Sequence, residues 1–306
     1  MAIVVNECQV TVERAGRLDR VVQELTGRSR ADVRGLLDRG GVRLNGAACT
    51  DAGTLVKAGD AVTVRHDPHV RYRARPRTRE SRAFRLVFED EHLIVVDKDA
   101  AILTVPTSRG ETNTLLDAVN RHVARQNPRG RATAIHRLDR GTSGLLVFAK
   151  NPRVARELRD QFRARKAVRE YWAIVAGTLD QPAGTFESRL GTTKSLQRYS
   201  ARPGQEGERA VTHFRVERRL AGATFVRVWL ETGRRNQIRV HFAETGHPVL
   251  GDKRYQPELA HHSAWKSKRL ALHAAVLGFE HPQTRQPLRF ESPLPDEFAR
   301  FLSQRR

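Results

Sequence analysis

The sequence predicts an α+β protein, in which a small domain of helices and a hairpin precedes a large domain built on a mixed, mainly antiparallel sheet with flanking helices. Three observations predict it. Two short segments of helical period open the chain and are followed by short strand-like runs. Residues 69–85 then carry seven arginines and one acid, with Pro76 among them, a composition that suits a linker better than a packed element. Beyond it, runs such as "THFRVERRL" and "TFVRVWL" alternate polar and apolar residues, as antiparallel strands with one solvated face do. The expected boundaries are a domain at 1–68, a basic linker at 69–83 and a large domain at 84–306. Neither a Gly-rich phosphate loop nor a Walker signature occurs, which argues against a doubly wound nucleotide fold.

The elements follow in order. "MAIVVNECQVTVERAG" lacks a basic n-region and a cleavage site, so it is expected to be a strand and not a signal peptide. "GRLDRVVQELTG" places Leu18, Val21, Val22 and Leu25 on one helical face and ends at Gly27. "SRADVRGLLDRGG" opens with Ser29 as N-cap and Asp32 three residues on, a variant capping box. "VRLNGAAC" and "DAVTVR" are strands, with Asn45-Gly46 as a hairpin turn. In the linker, arginines 71, 73, 75, 77 and 79 would line one edge of an extended chain, a strap able to hold phosphates without sequence preference. "RLVFEDEHLIVVDK" is two strands around an acidic turn, and "NTLLDAVNRHVARQ" an amphipathic helix. "IHRLDRGTSGLLVFAK" is strand, turn, strand. Asn151-Pro152 starts a helix with Val154, Leu158 and Phe162 on its apolar face. "YWAIVAG" is a short buried strand, and 270–295 a late hairpin with a Pro-rich exit.

Composition narrows the function. The 306 residues carry a net charge of +21, which implies a polyanionic partner, nucleic acid before acidic membrane; the alternative is a merely soluble, arginine-rich surface. The charge is uneven, since residues 1–68 hold ten lysines and arginines against nine acids. No window approaches 18 continuous apolar residues, so no membrane span is expected. The two cysteines, Cys8 and Cys49, form no Cys-x-x-Cys pair, and nothing points to an oxidising compartment; a cytoplasmic location is expected. There is no His-Glu-x-x-His pattern, and the adjacent His261 and His262 suit a solvated loop better than a metal site.

One acid stands out. Asp139 lies between Arg137 and Arg140, just before the glycine-flanked turn "RGTSG". On a strand over 135–139 it would share a side with Ile135 and Arg137. An anion flanked by guanidiniums can be a nucleophile, a general base or half of a structural ion pair, and the local residues leave all three open.

Four stretches taken together resemble the motifs of the RluA/RluD-type pseudouridine synthase family: "HRLDRGTSGLLVFAK", "VREYWAIVAG", "TGRRNQIRVHFAETGHPVLGDKRY" and "LALHAAVLGFEHPQTRQPLRFESPLP". "RLDRVVQEL" with "SRADVRGLLDRGGVRLNG" resembles an S-four-like RNA-binding domain, the family's usual companion. The resemblance covers about 17–65 and 84–296. It implies an isomerase that detaches uracil from ribose, rotates it and rejoins it through a ring carbon, without metal, nucleotide or redox cofactor. It makes Asp139 the essential carboxylate, attacking the sugar, attacking the base or removing a sugar proton. It makes Tyr171 the active-site tyrosine and Arg239 the partner of the aspartate. Arg137 would fill the space left by a flipped uridine; a surface phosphate contact is the alternative. His136 would either orient the loop or be a satisfied core histidine. Arg140, Arg234 and Asn236 would contact RNA near the site, and Arg28, Arg30, Arg34 and Arg43 would do so from the first domain. The third motif is expected to be a helix with Asn236 near its start and Gly246 at its end. Two departures are visible: Asn236 stands where the family usually has histidine, and "KDAAI" at 98–102 where it often has Lys-Pro-x-Gly. Large-subunit ribosomal RNA is the expected target, with transfer RNA second, and the protein is expected to be a monomer that needs no membrane. The alternatives are a non-catalytic RNA-binding or ribosome-assembly protein and a metal-dependent nuclease, which would need a carboxylate or histidine cluster that the sequence does not display.

Overall fold

The computed structural model describes residues 6–37, 40–49, 52–68, 70, 72, 83–107, 110–193, 195–202 and 204–303. The chain divides into two compact units, Met1–Ser81 and Arg82–Arg306. Most of the arginine-rich linker expected at 69–83, including arginines 71, 73, 75, 77 and 79, lies outside the described residues.

The first unit contains β1 (Asn6–Thr11), β2 (Gly16–Arg17), α1 (Leu18–Thr26), α2 (Arg30–Leu37), β3 (Val42–Leu44), β4 (Ala47–Ala48), β5 (Leu55–Val56) and β6 (Ala61–His66). Its four-stranded sheet has the order β1-β6-β3-β4, with every pairing antiparallel. Leu18 and Val22 of α1 and Val33, Leu36 and Leu37 of α2 bury against Val42, Val62 and Val64 of the sheet. Gly27 ends α1 in the left-handed region at φ +63°, its amide donating to the Gln23 carbonyl. Asn45 and Gly46 both have positive φ, as a two-residue hairpin turn that matches the strand twist requires. Asp32 N donates to Ser29 Oγ at 3.2 Å, while the Ser29 hydroxyl donates to the Asp32 carboxylate at 2.7 Å.

The second unit contains β7 (Phe84–Glu89), β8 (Leu93–Lys98), α3 (Leu115–Gln126), β9 (Thr133–Ala134), β10 (Ser143–Ala149), α4 (Pro152–Arg163), β11 (Val168–Ala176), β12 (Ala183–Thr192), β13 (Arg198–Ser200), β14 (Glu208–Leu220), β15 (Ala223–Leu230), α5 (Gln237–Glu244), β16 (Leu272–Glu280), β17 (Pro287–Glu291) and α6 (Asp296–Leu302). Among the described residues, eleven strands form one sheet with the path β13-β12-β14-β15-β11-β16-β10-β8-β7; β9 pairs with β10 and β17 with β16. All its pairings are antiparallel except β10 with β16, so the sheet is mixed and mainly antiparallel. Gly144 sits at that parallel pairing with φ +111°, and a Cβ there would collide with the Ala274 backbone.

Every residue of β10 is buried, because the strand is covered on both faces. On one side α4 packs Val154, Ala155 and Leu158 against Leu93, Val95, Leu145, Val147, Leu277 and Phe279. The other side holds the larger core, with Leu115, Val119 and Val123 of α3 and Phe242 of α5. Asn151 caps α4 through a 2.9 Å bond from Val154 N, with Pro152 in its first turn, as the sequence predicts. Thr114 and Asp117 form a capping box on α3. Helix α6 is not anticipated by the sequence pattern; it is anchored by Phe298 and Phe301, whose rings lie 5.5 and 5.8 Å from Trp265.

The expected strand over 135–139 does not form. Only Thr133 and Ala134 pair with β10, and the chain then leaves the sheet. Thr104 explains the departure: its hydroxyl donates to the Leu138 carbonyl at 2.9 Å and accepts from the Leu138 amide at 3.1 Å. A side chain thus takes the bonds that a neighbouring strand would supply, and the Thr142 amide closes a turn onto the Asp139 carbonyl.

No helix among the described residues is long and apolar enough to cross a membrane. Two buried histidines give the fold a pH dependence. His241 bonds to Thr212 and Ser188, and burial pushes its pKa down to about 4. His273 bonds to Ser143 Oγ at 2.7 Å and is pushed down by burial likewise. Between those depressed values and the ordinary histidine pKa of 6.5 the unfolded chain binds more protons than the folded one, so stability falls as pH drops through that window. Each histidine contributes a slope of up to about 1.4 kcal/mol per pH unit. Urea unfolding at pH 7, 6 and 5 is expected to show a falling midpoint, and His241→Gln is expected to flatten that trend.

Candidate active site

The site begins at the end of β15. Thr232 and the Arg234 amide both donate to Gln237 Oε1, at 2.8 and 3.0 Å, and Gln237 Nε2 donates to Val211 O and Thr212 Oγ1, both at 2.9 Å. This buried amide locks the start of α5 onto β14. The third motif is therefore helical, and Gly246 follows its end at φ +81°.

Asn236 precedes α5, as expected, but its side chain does not cap the helix. It adopts φ +56°, and its side chain makes no bond to the helix. Instead its Nδ2 donates to Asp139 Oδ2 at 2.7 Å. One turn on, Arg239 Nη1 donates to the same oxygen at 2.9 Å. The rest of the Arg239 fork is held from behind, with Nε donating to Asp252 Oδ2 at 2.6 Å and Nη2 to Asp252 Oδ1 at 2.8 Å. Asp252 has no side-chain exposure, and its Oδ1 also accepts from the amides of Arg254 and Tyr255. The Tyr255 ring lies 5.0 Å beneath the Arg239 guanidinium, and its hydroxyl donates to Asn236 Oδ1 at 3.3 Å. Burial opposes the charge on Arg239, but the carboxylates of Asp252 and Asp139 hold its pKa above the usual range.

Asp139 thus has one oxygen fastened by two donors. Among the described residues no hydrogen bond reaches Oδ1, and the side chain is 18% exposed. The partners of this carboxylate come from about a hundred positions away. The sequence neighbours expected to flank it do not bind it: Arg140 Nε donates to Ala101 O at 3.2 Å, and Arg137 is exposed. Behind the turn, the buried Lys98 ammonium donates to the carbonyls of Asp99, Ile102 and Arg140, tying the 99–102 loop to the segment that carries Asp139. Burial, reinforced by Arg269, pushes the Lys98 pKa down to about 7.

Tyr171 lies on β11 between Val228 of β15 and Ala274 of β16, and burial pushes its phenol pKa up, so the ring is neutral at physiological pH. It lines a cavity of about 60 Å³ together with Asp139, Arg137, Asn236 and Arg239. A larger cavity of about 420 Å³ shares Arg137, Tyr171, Leu230 and Arg234 with it. Arg234 itself is paired with Glu208 at 2.7 Å. His136 stacks on Phe162 at 4.7 Å, and burial with the nearby Arg169 cation pushes its pKa down to about 3, so it is a neutral packing residue that also accepts from Val147 N.

In the first unit, Arg30 and Arg34 line one cavity of about 500 Å³ with Arg17 and Asp19, and Arg43 is exposed on β3. Arg28 is committed locally: it donates to the carbonyls of Asp67 and Val70 and stacks on Tyr72 at 5.0 Å. Sequence reasoning missed Asp252, Tyr255, Gln237 and Lys98 as positioning residues. The signal available was their place inside or beside the quoted motifs. Among the described residues no group of three His, Cys, Asp or Glu side chains is arranged to hold a metal ion.

Residues 92–244 match the RNA pseudouridylate synthase family and residues 16–62 the S4 domain. An uncharacterized RNA pseudouridine synthase of Bacillus subtilis, YlyB, is 33% identical over 98% of this chain and 99% of its own length. Ribosomal large subunit pseudouridine synthase D of Pseudomonas aeruginosa is 38% identical over 71% of this chain and 70% of its own. The fold is shared with the solved human RNA pseudouridylate synthase domain containing 4, with a TM-score of 0.59 at 22% identity over 71% of this chain and 91% of that one.

Proposed function

Because this chain belongs to the RNA pseudouridylate synthase family and carries an S4 domain, we propose that it isomerises uridine to pseudouridine in large-subunit ribosomal RNA, in the cytoplasm, with Asp139 as the reacting carboxylate. The observation that carries this reading is the carboxylate itself, with Oδ2 fixed by Arg239 and Asn236, Oδ1 without a hydrogen bond among the described residues, and Tyr171 lining the same cavity. The large-subunit target is supported by relatives such as the Pseudomonas aeruginosa enzyme, whose name states it.

The reaction breaks the bond between N1 of uracil and C1′ of ribose, turns the base, forms a bond from C5 to C1′ and releases the C5 proton, while N1 takes up a proton in its place. Attack at the sugar, attack on the base and removal of a sugar proton each require the aspartate as an anion. Arg239 and Asn236 hold the carboxylate in one orientation, so that little rearrangement is needed as charge develops. The Asp252 anchor keeps the guanidinium from following the RNA. A uridine within folded RNA must first be flipped out, at a cost of a few kcal/mol. Arg137, exposed at the rim of both cavities, is suited to fill the vacated space with its planar head.

Tyr171 packs against uracil in this reading and exchanges the C5 proton in the last step. Tyr171→Phe is expected to lower kcat by about 10²-fold or more, with KM nearly unchanged, because the ring remains and the hydroxyl does not. Single-turnover rates would check it; a KM effect alone would assign the hydroxyl to binding. The reading as a whole is tested by mapping pseudouridine in total RNA from cells with and without this protein. Loss of one or more sites in large-subunit ribosomal RNA is expected. Loss confined to transfer RNA would move the target, and an unchanged map with retained RNA binding would favour a non-catalytic role.

A further inference from the structure

The larger cavity beside Asp139 is lined by five arginines, Arg137, Arg163, Arg165, Arg169 and Arg234, and by a single acid, Glu231. That acid is already shared by Arg165 at 3.1 Å, Arg209 at 3.6 Å and His213 at 3.0 Å. Arg163 pairs with Asp160 and Arg234 with Glu208. Among the described residues neither Arg137 nor Arg169 pairs with a carboxylate, and Arg169 differs from Arg137 in that its Nε is buried without a hydrogen-bond partner.

Its placement is nevertheless fixed. Arg169 stands two positions before Tyr171 on β11, and both line this cavity. Its guanidinium lies over the Phe162 ring at 5.5 Å. Nη1 lies beside Gly233, in the space that a Cβ at that position would enter. Stacking on an aromatic ring occupies one face of the guanidinium plane and leaves the in-plane N–H groups for an acceptor. A partly buried cation without an acceptor is unfavourable, and an arriving anion removes that cost.

We propose that Arg169 binds a backbone phosphate of the RNA immediately next to the target uridine, in the cavity of about 420 Å³ that adjoins Asp139. The assignment rests on the reading of this protein as an enzyme acting on RNA. The ligand is a phosphodiester because the planar fork suits two oxygens of one anion and five arginines dominate the charged lining. Arg169 is a binding residue in this assignment and takes no part in bond making.

The test uses the full chain and a synthetic stem–loop RNA with a uridine loop, in a set in which each loop phosphate in turn is replaced by a neutral methylphosphonate. For the native protein, one linkage is expected to weaken binding about tenfold, and Arg169→Gln is expected to show no further loss at that same linkage. Arg169→Gln should also lower the slope of log K against log salt by about 0.7 to 0.9, the value of one phosphate contact. Arg169→Lys, which keeps the charge and the stem, is expected to retain the effect at the one linkage, and both variants should unfold at the native temperature. Should Arg169→Gln lose its fold, Arg169→Met, which keeps the apolar stem without the charge, carries the test at that linkage. The assignment is overturned if every linkage costs the native protein and the folded uncharged variant equally, or if the salt slope does not move in that variant. Failure of the isomerase reading is a separate outcome: the native protein would form no pseudouridine in any RNA while the coupling between Arg169 and one phosphate persisted.

Discussion

Asp139→Asn is expected to bind RNA at least as tightly as the native protein and to form pseudouridine at least about 10³-fold more slowly. The substitution keeps the shape of the side chain and lets an amide oxygen accept from Arg239 Nη1 and Asn236 Nδ2 in place of Oδ2. Only the anion is lost. The Arg239 guanidinium keeps its bidentate pairing with Asp252, so the fold survives, and the loss of a negative charge in a basic cleft favours the phosphates of the substrate. Binding by fluorescence anisotropy and initial rates on the same RNA separate the two effects. A variant that turns over within tenfold of the native rate would remove Asp139 from the chemistry.

Asp252→Ala is expected to destabilise the second unit by about 3–5 kcal/mol, the usual cost of leaving one member of a buried ion pair alone. Asp252 has no side-chain exposure, and four donors converge on it: Nε and Nη2 of Arg239 and the amides of Arg254 and Tyr255. Replacing both charged partners should behave differently. Arg239→Met combined with Asp252→Leu removes the stranded charge and is expected to recover much of the stability without recovering activity. All three tryptophans, Trp172, Trp229 and Trp265, lie in the second unit, so their fluorescence in urea reports on that unit alone. Equal stability of Asp252→Ala and the native protein would show that the pair is not a structural anchor.

What the sequence made legible was local. Helix α4 could be read to its first residue because Asn151 and Pro152 are start signals that act within one turn. The hairpin at Asn45-Gly46 was readable because few residue pairs tolerate two successive positive φ angles. The irregular path over 135–142 was not readable, since the hydroxyl that breaks the strand belongs to Thr104, more than thirty residues earlier. Helix α6 stays hidden for a similar reason: its anchors matter only once Trp265 is beside them.

The site follows the same rule. Asp139 drew notice through Arg137 and Arg140, yet its bonds come from Asn236 and Arg239. Charge proximity along the chain indicated an unusual acid without identifying its partners. Asn236 was placed near the start of a helix by resemblance, but its left-handed backbone and its bond to the carboxylate are tertiary features that the residue type does not show. Family resemblance, which carries tertiary information that local pattern lacks, singled out Arg239 and Tyr171. It left Asp252 unnoticed, because a buried aspartate in "GDKRY" reads like a surface turn until its four donors are in place.

The most direct test follows the hydrogen that the reaction must expel. Purified native protein would be incubated with protein-free ribosomal RNA labelled with tritium at C5 of uridine, and tritium appearing in water would be counted. Release from large-subunit RNA that rises to a whole number per molecule and then stops is the predicted result. Binding of that RNA with no release above a protein-free control would contradict it.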